Sequence, residues 1–276
     1  MKIAITGAAG YIGRHVVKEL LNKKHDVTAI DFHFKEVDER AHLSDIDIFS
    51  GREDLYDKLG TPDLCIHLAW RDGFIHNSPM HMQNLSSHFI FLKNLIDAGC
   101  KNIAVMGTMH EVGYWEGVIN ADTPCNPLSQ YGIAKNALRQ SLLQYATGKN
   151  VSIYWLRAYY ITGDDEHNCS VFTKILRAAE DGKDTFPFTS GKNQYDFIDI
   201  KELAKQIVAV STQKDYTGII NVCTGTPVSL KEQVESFIKQ KKLNISLDYG
   251  AFPDRVYDSP IVYGDSSIIC KIMSNT

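Results

Sequence analysis

Along the first 160 residues, short β-rich runs alternate with longer segments whose apolar positions recur at helical spacing. This alternation predicts a parallel sheet covered by helices. Lys2–Thr6 reads as the first strand, Tyr11–Lys23 as the first helix and Asp26–Ile30 as the second strand. A polar, irregular stretch over 33–44 leads to a third short strand, Ile46–Phe49, and the Thr61-Pro62 break precedes a fourth, Asp63–Leu68. His81–Ala98 has the pattern of one long helix, with Gly99 in the place of a C-terminal cap. Asn102–Met106, Ser129–Ala146 and Val151–Arg157 read as strand, helix and strand. Beyond Gly163 the pattern loosens into helical stretches at Val171–Glu180, Lys201–Ser211 and Leu230–Gln240 between Gly- and Pro-containing loops. The expected fold class is therefore α/β, a Rossmann-type doubly wound parallel sheet. Residues 1–163 form its dinucleotide-binding part. Residues 164–276 form a small C-terminal substrate-binding region interleaved with the main sheet.

The turn between the first strand and helix sharpens this picture. Gly7-Ala8-Ala9-Gly10-Tyr11-Ile12-Gly13 has the glycine spacing of a dinucleotide turn in the strand-to-helix setting that such a turn requires. The first glycine permits the sharp turn, the second lets backbone approach a pyrophosphate, and the third lets the helix pack on the sheet. The helix N-terminus adds unpaired N–H groups and partial positive charge for the phosphates. Asp31 follows eighteen residues after Gly13, at the end of the second strand, where a carboxylate accepts from a ribose diol and repels a 2′-phosphate. NAD(H) is the expected cofactor, with NADP(H) left open by His33 and Lys35 nearby.

Composition narrows the function classes. With 276 residues and 44% hydrophobic content the chain buries an ample core without disulfides or metals. A net charge of −4 and a pI near 6.2 offer no basic field for nucleic acid or anionic membrane. No apolar run approaches the roughly 18 residues of a spanning helix, and the stretch after Met1 is too short for a signal peptide, so a cytoplasmic location is expected. The six cysteines include no C-x-x-C pair and read as reduced core thiols, and the histidines lack metal-site spacing.

The chemistry centres on Tyr131-Gly132-Ile133-Ala134-Lys135, which puts a phenol and an ammonium on one helical face. A nearby cation favours phenolate, so Lys135 is expected to lower the Tyr131 pKa and make it a proton donor and acceptor at a carbonyl or alcohol oxygen. Tyr145 and Lys149 repeat the spacing, but the helix ends at Gly148 and no hydroxyl partner precedes them. The first pair has such a partner in Thr108, directly after the fifth strand, at the sheet edge where doubly wound folds bind ligands.

With these residues the chain resembles an extended short-chain dehydrogenase/reductase of the NAD-dependent epimerase/dehydratase family, over nearly its full length. Gly7, Gly10, Tyr11, Ile12 and Gly13 match the family's nucleotide turn, and Thr108, Tyr131 and Lys135 match its catalytic trio. His67-Leu68-Ala69 matches the motif closing the fourth strand, with Trp70 in place of a small residue, and Asn84 matches a helix asparagine. The resemblance implies cofactor contacts from Asp31, Leu68, Ala69, Asn84, Tyr131 and Lys135. It implies substrate contacts from Trp70, His110, Glu111, Tyr160 and Arg255. Tyr160 stands where asparagine is usual, Tyr195 where arginine is usual, and Arg255 where the family holds a diphosphate. A nucleoside-diphosphate sugar is the implied substrate, and a homodimer the implied assembly.

Within the family, dehydratases carry Asp-Glu after the catalytic threonine, whereas this chain has Met109-His110-Glu111. The segment from Gly107 to Gly117 resembles bacterial 4-ketoreductases that make dTDP-6-deoxyhexoses such as dTDP-fucose. The resemblance thus implies NAD(P)H-dependent reduction of a 4-keto-6-deoxyhexose nucleotide, the alternative being a nucleotide-sugar 4-epimerase. A non-catalytic dinucleotide sensor on the same fold is a third reading, against which the trio argues.

Overall fold

The structure, a computed structural model, describes residues 1–163, 168, 170–254 and 258–275. Its main sheet is wholly parallel and runs β11-β7-β5-β4-β1-β2-β3. These strands are β1 (Lys2–Thr6), β2 (Asp26–Ile30), β3 (His42–Ser44), β4 (Leu64–His67), β5 (Asn102–Thr108), β7 (Ser152–Ala158) and β11 (Gly218–Val222). The order reverses between β1 and β4, and ligand crevices of open α/β sheets form at such a reversal.

Two helical layers bury the sheet. On one side pack α1 (Gly13–Asn22), α7 (Ile200–Thr212) and α9 (Ser267–Ser274), on the other α2 (Leu55–Lys58), α4 (Leu85–Asp97) and α5 (Gln130–Ala146). Central strands therefore place successive side chains in different cores. In β5, Ala104 and Met106 face the first layer and Ile103 and Val105 the second. That two-sided burial is why these strands read as unbroken apolar runs.

A second sheet, β12-β10-β14-β6 with β8 beside β10, stands at the carboxyl edge of the first. It is built from β6 (Gly117–Ile119), β8 (Tyr160–Thr162), β10 (Gln194–Asp199), β12 (Pro227–Ser229) and β14 (Ile261–Gly264). A separate apolar cluster joins α6 (Val171–Glu180), α8 (Leu230–Lys241) and the pair β9 (Thr185–Phe188) and β13 (Ser246–Tyr249). The chain mixes these layers: β6 precedes residue 163 yet lies in the second sheet, and β11 follows it yet closes the first. No helix among the described residues is long and apolar enough to cross a membrane.

Three expected elements differ. The third strand is His42–Ser44 rather than Ile46–Phe49, because 42–44 pair with Thr28–Ile30 of β2. Ile48 is buried all the same, in the core that includes Leu55 and Leu59. The long helix expected over 81–98 is two, α3 (Met80–Gln83) and α4, joined at Asn84. The first helix begins at Gly13 rather than Tyr11, leaving 11–12 in the turn.

The glycine turn is fixed by its own backbone. A Cβ on Gly13 would lie 2.0 Å from the Gly7 carbonyl oxygen, and one on Gly7 would lie 2.7 Å from Ala69 N. Elsewhere a buried carboxylate staples the second sheet: Asp196 accepts from Thr224 N and Oγ1, Gly225 N and Gly264 N, at 2.6–3.1 Å. Asp196→Ala should strip all of these donors and destabilise the protein by about 3 kcal/mol, read as a lower urea midpoint.

Candidate active site

Thr108 is the last residue of β5, not the first after it, and its backbone turns directly into a 3₁₀ turn, Met109–Glu111. A capping box closes that turn. Thr108 Oγ1 accepts from His110 N (3.3 Å), and Thr108 N donates to Glu111 Oε1 (2.7 Å). The threonine is thereby held beside the Tyr131 phenol, whose ionised form its hydroxyl favours, though less than burial opposes it.

Tyr131 reaches this point because α5 is capped and crowded correctly. Ser129 Oγ accepts from Gly132 N (3.1 Å), and Tyr131 N donates to the His76 carbonyl (2.9 Å). A Cβ on Gly132 would lie 2.3 Å from the His110 carbonyl oxygen, so the glycine lets α5 close on the turn below Thr108. One helical turn on, Lys135 is 2% exposed, and its Nζ donates to the Met106 carbonyl (2.7 Å). Nζ stands 5.9 Å from the centre of the Tyr131 ring.

The electrostatics of this pair correct the sequence expectation. Burial pushes the Tyr131 phenol well above its usual range, and burial lowers the Lys135 amine to about 7 despite the nearby Glu111 charge. Desolvation opposes both ionised forms and is the largest cause of both shifts. The repeated spacing at Tyr145 and Lys149 serves the surface instead, where both side chains engage the Asp97 carboxylate.

Glu111 is a second correction. Its carboxylate is 0% exposed and points inward, accepting from Trp155 Nε1 (2.9 Å) as well as Thr108 N. Arg139 Nε lies at 3.4 Å and Arg157 Nη2 at 3.7 Å. A Cβ on Gly107 would sit 2.8 Å from Glu111 Oε1 and 2.2 Å from Trp155 Nε1. Glu111 thus supports Thr108 from behind and does not face a sugar.

The other expected contacts converge from several elements. His110 stands between Tyr131 and Tyr160, its ring centre 6.1 Å from the first and 6.4 Å from the second. Burial, with His76 adding to it, lowers the His110 pKa to about 4. Tyr160 itself packs on Tyr195 at 4.3 Å. Asn84, half-buried, sits at the junction of α3 and α4 with no side-chain cap. Arg255 lies outside the described residues.

Histidines that sequence reasoning passed over are prominent here. His76 stacks on Tyr131 (5.5 Å, 14°), and His81 lies 5.3 Å from it. His67 shares hydrogen bonds with Thr6 Oγ1 and His88 Nδ1, both 2.8 Å. Their concentration over 67–88 was the signal available in the sequence.

The cofactor side fits a dinucleotide. Gly10 is exposed, and a Cβ there would meet only the Gly7 carbonyl, at 3.2 Å, so its outer face is open to a phosphate. Asp31 is pinned by Ala9 N (3.0 Å) and Phe32 N (2.8 Å), which fixes it beside the turn. Leu68 N donates to the Thr6 carbonyl and Ala69 N to Thr6 Oγ1, laying both residues along the same edge. Tyr11 donates to the Gly163 carbonyl (2.6 Å), and Ile12 packs on the core.

A dinucleotide turn facing a Thr–Tyr–Lys cluster across a parallel sheet's carboxyl edge defines a dinucleotide-dependent oxidoreductase of the short-chain type. The NAD dependent epimerase/dehydratase family model matches residues 3–223, and the chain belongs to that NAD-dependent family. It is 48% identical over 271 residues to a dTDP-6-deoxy-L-talose 4-dehydrogenase (NAD(+)) of Aggregatibacter actinomycetemcomitans, covering 96% of this chain and 99% of the relative. The fold is also that of a UDP-N-acetylglucosamine 4-epimerase from Methanobrevibacter ruminantium solved with UDP-N-acetylmuramic acid. The TM-score is 0.86 at 21% identity, covering 98% of this chain and 91% of the other. MoeE5, solved with UDP-glucuronic acid and NAD, is similar at TM-score 0.83 and 24% identity, covering 99% and 93%.

Glu111→Gln should lower stability by about 1–3 kcal/mol while leaving substrate KM within about twofold, measured by urea unfolding and steady-state kinetics.

Proposed function

We propose that the chain interconverts the 4-hydroxyl and 4-keto forms of a nucleoside-diphosphate 6-deoxyhexose, with a dTDP-sugar favoured and NAD(H) as redox partner. The observation that carries this is the placing of Thr108 at the end of β5, with Tyr131 and the buried Lys135 on α5 against it, at the edge that also holds the glycine turn. The relative named for 4-dehydrogenation of a dTDP-6-deoxyhexose, similar over almost both whole chains, supplies the sugar class. Oxidation of the alcohol and reduction of the ketone are one reaction read in two directions, and the reductive direction is the one we favour.

When bound, the nicotinamide cofactor would supply the hydride to the sugar C4 in reduction and accept it in oxidation. Tyr131 gives a proton to the C4 oxygen in reduction and takes one in oxidation. Thr108 donates a hydrogen bond to the same oxygen, and Lys135 holds the nicotinamide ribose. Trp70, His110 and Tyr160 wall the sugar, Arg255 is assigned to the diphosphate, and residues 164–276 complete the substrate-binding region. Asp31 takes the adenosine ribose diol, assisted by the backbone of Gly7, Gly10, Tyr11, Ile12 and Gly13. Leu68, Ala69 and Asn84 border the nicotinamide half.

Dehydration fits poorly. Met109 is buried and Glu111 is committed inward, so neither residue after Thr108 offers an acid to a C6 hydroxyl. An epimerase would share the trio but return the cofactor to its starting state, interconverting two sugars with no net change in NADH. The proposed enzyme instead consumes NADH one for one with a 4-keto-6-deoxyhexose nucleotide, seen as lost absorbance and a mass gain of two hydrogens in the sugar.

Tyr131→Phe should cut turnover by roughly a hundredfold to ten-thousandfold with NAD affinity kept, as read by titration calorimetry; full turnover in this variant would sink the mechanism. Because burial holds the Tyr131 phenol protonated, ketone reduction should run well at neutral pH and slow in alkali. Alcohol oxidation, which needs the phenolate, should accelerate as pH rises, and initial rates in both directions check the sign.

A further inference from the structure

Trp70 stands three residues beyond His67, the last residue of β4, in a position that is only half-buried. Three contacts fix its indole. Nε1–H donates to His81 Nδ1 (3.1 Å), the ring stacks on His88 (4.4 Å between centroids, 16° between planes), and Lys135 Nζ stands 3.7 Å from the ring centre. His88 is itself held at 2.8 Å by His67, and His67 at 2.8 Å by Thr6, so a buried chain beginning under the glycine turn sets the indole's orientation. His81 in turn is anchored through Nε2 to the Ile75 carbonyl, 2.9 Å away.

We infer that Trp70 is a positioning residue whose indole face holds the Lys135 ammonium within reach of Tyr131 and keeps it charged. This rests on the reading above that Lys135 serves the redox reaction. The negative face of an indole attracts an ammonium more strongly than any other aromatic ring does, and more so away from water. Lys135 needs that support, since burial has already brought its amine down to about 7.

The groups facing it offer little else. From β4 and α4 come His67 and His88, both held neutral by burial and by Lys135 itself. Tyr131, on its own helix, is held protonated. His81, on α3, is engaged with Trp70 and Ile75. Glu111 favours the charged lysine, but Arg139 and Arg157 stand closer to that carboxylate's chemistry, at 3.4 and 3.7 Å. The Met106 carbonyl and the Trp70 face are what touch the ammonium directly. An indole in a slot that a small residue would leave open thus acts on the lysine's charge as well as filling space.

Tryptophan emission of the cofactor-free protein, titrated from acid to alkali, reads the pair without any turnover. The expected result is an emission change with its midpoint above the value of about 7 to which burial brings the amine, lost in Lys135→Met and kept in His81→Asn. A change that survives Lys135→Met, or that vanishes in His81→Asn, overturns the inference. In the pH–rate profile, Trp70→Leu should move the limb set by Lys135 down by about one pH unit and cut kcat about tenfold, with Trp70→Phe recovering most of both. Leu and Phe variants that share the wild-type limb also overturn it. Absence of turnover on every nucleotide sugar would defeat the functional reading instead, and would leave the emission titration of the wild type and Lys135→Met intact.

Discussion

A buried carboxylate under Thr108 is the constraint on which the candidate site depends. Glu111 meets β5 through Thr108 N, β7 through Trp155 and Arg157, and α5 through Arg139. Arg157 extends the cluster outward by donating to the Asn120 carbonyl, just past β6. A charge removed from water on this scale is costly unless its partners stay in place, so the cluster resists any relative movement of the elements that carry the trio. Gly107 and Gly132 belong to the same arrangement, since a methyl group at either would force the parts away from each other. Rigidity here is built from charge and from missing side chains together.

The interior around the reacting groups is otherwise reluctant to ionise. Tyr131 is held protonated, Lys135 is brought close to neutrality, and His67, His88 and His110 are all held below their usual pKa. Such a site takes up or releases protons only where a substrate oxygen or a bound cofactor changes the local balance. The ring-lined enclosure formed by Trp70, His76, His81, His110 and Tyr160 supplies that low polarity while keeping hydrogen-bonding edges available.

Much of this was legible in the sequence, for identifiable reasons. The glycine turn, Asp31 and the central strands announce themselves because backbone geometry or two-sided burial allows few alternatives at those positions. Helices at 171–180 and 230–241 follow their apolar stripes closely. The third strand was misplaced because an edge strand three residues long carries almost no pattern, and its pairing with β2 is a tertiary choice. Glu111 was read as a sugar contact because its inward aim comes from the Thr108 capping box and from Trp155, forty-four residues away. The influence of Lys135 on Tyr131 was misjudged because proximity along a helix says nothing about desolvation. Short strands β8, β12 and β14 carry as little pattern, since they exist only through their pairing with β10 and, for β14, with β6 as well.

The crossing of β6 into the second sheet and of β11 into the first bears on how such an enzyme can diversify. A cut anywhere near residue 163 would leave the main sheet without its edge strand β11 and deprive the second sheet of β6. Neither side of such a cut is therefore a self-contained unit, and exchanging one side alone would ask two foreign edges to complete each other's sheets.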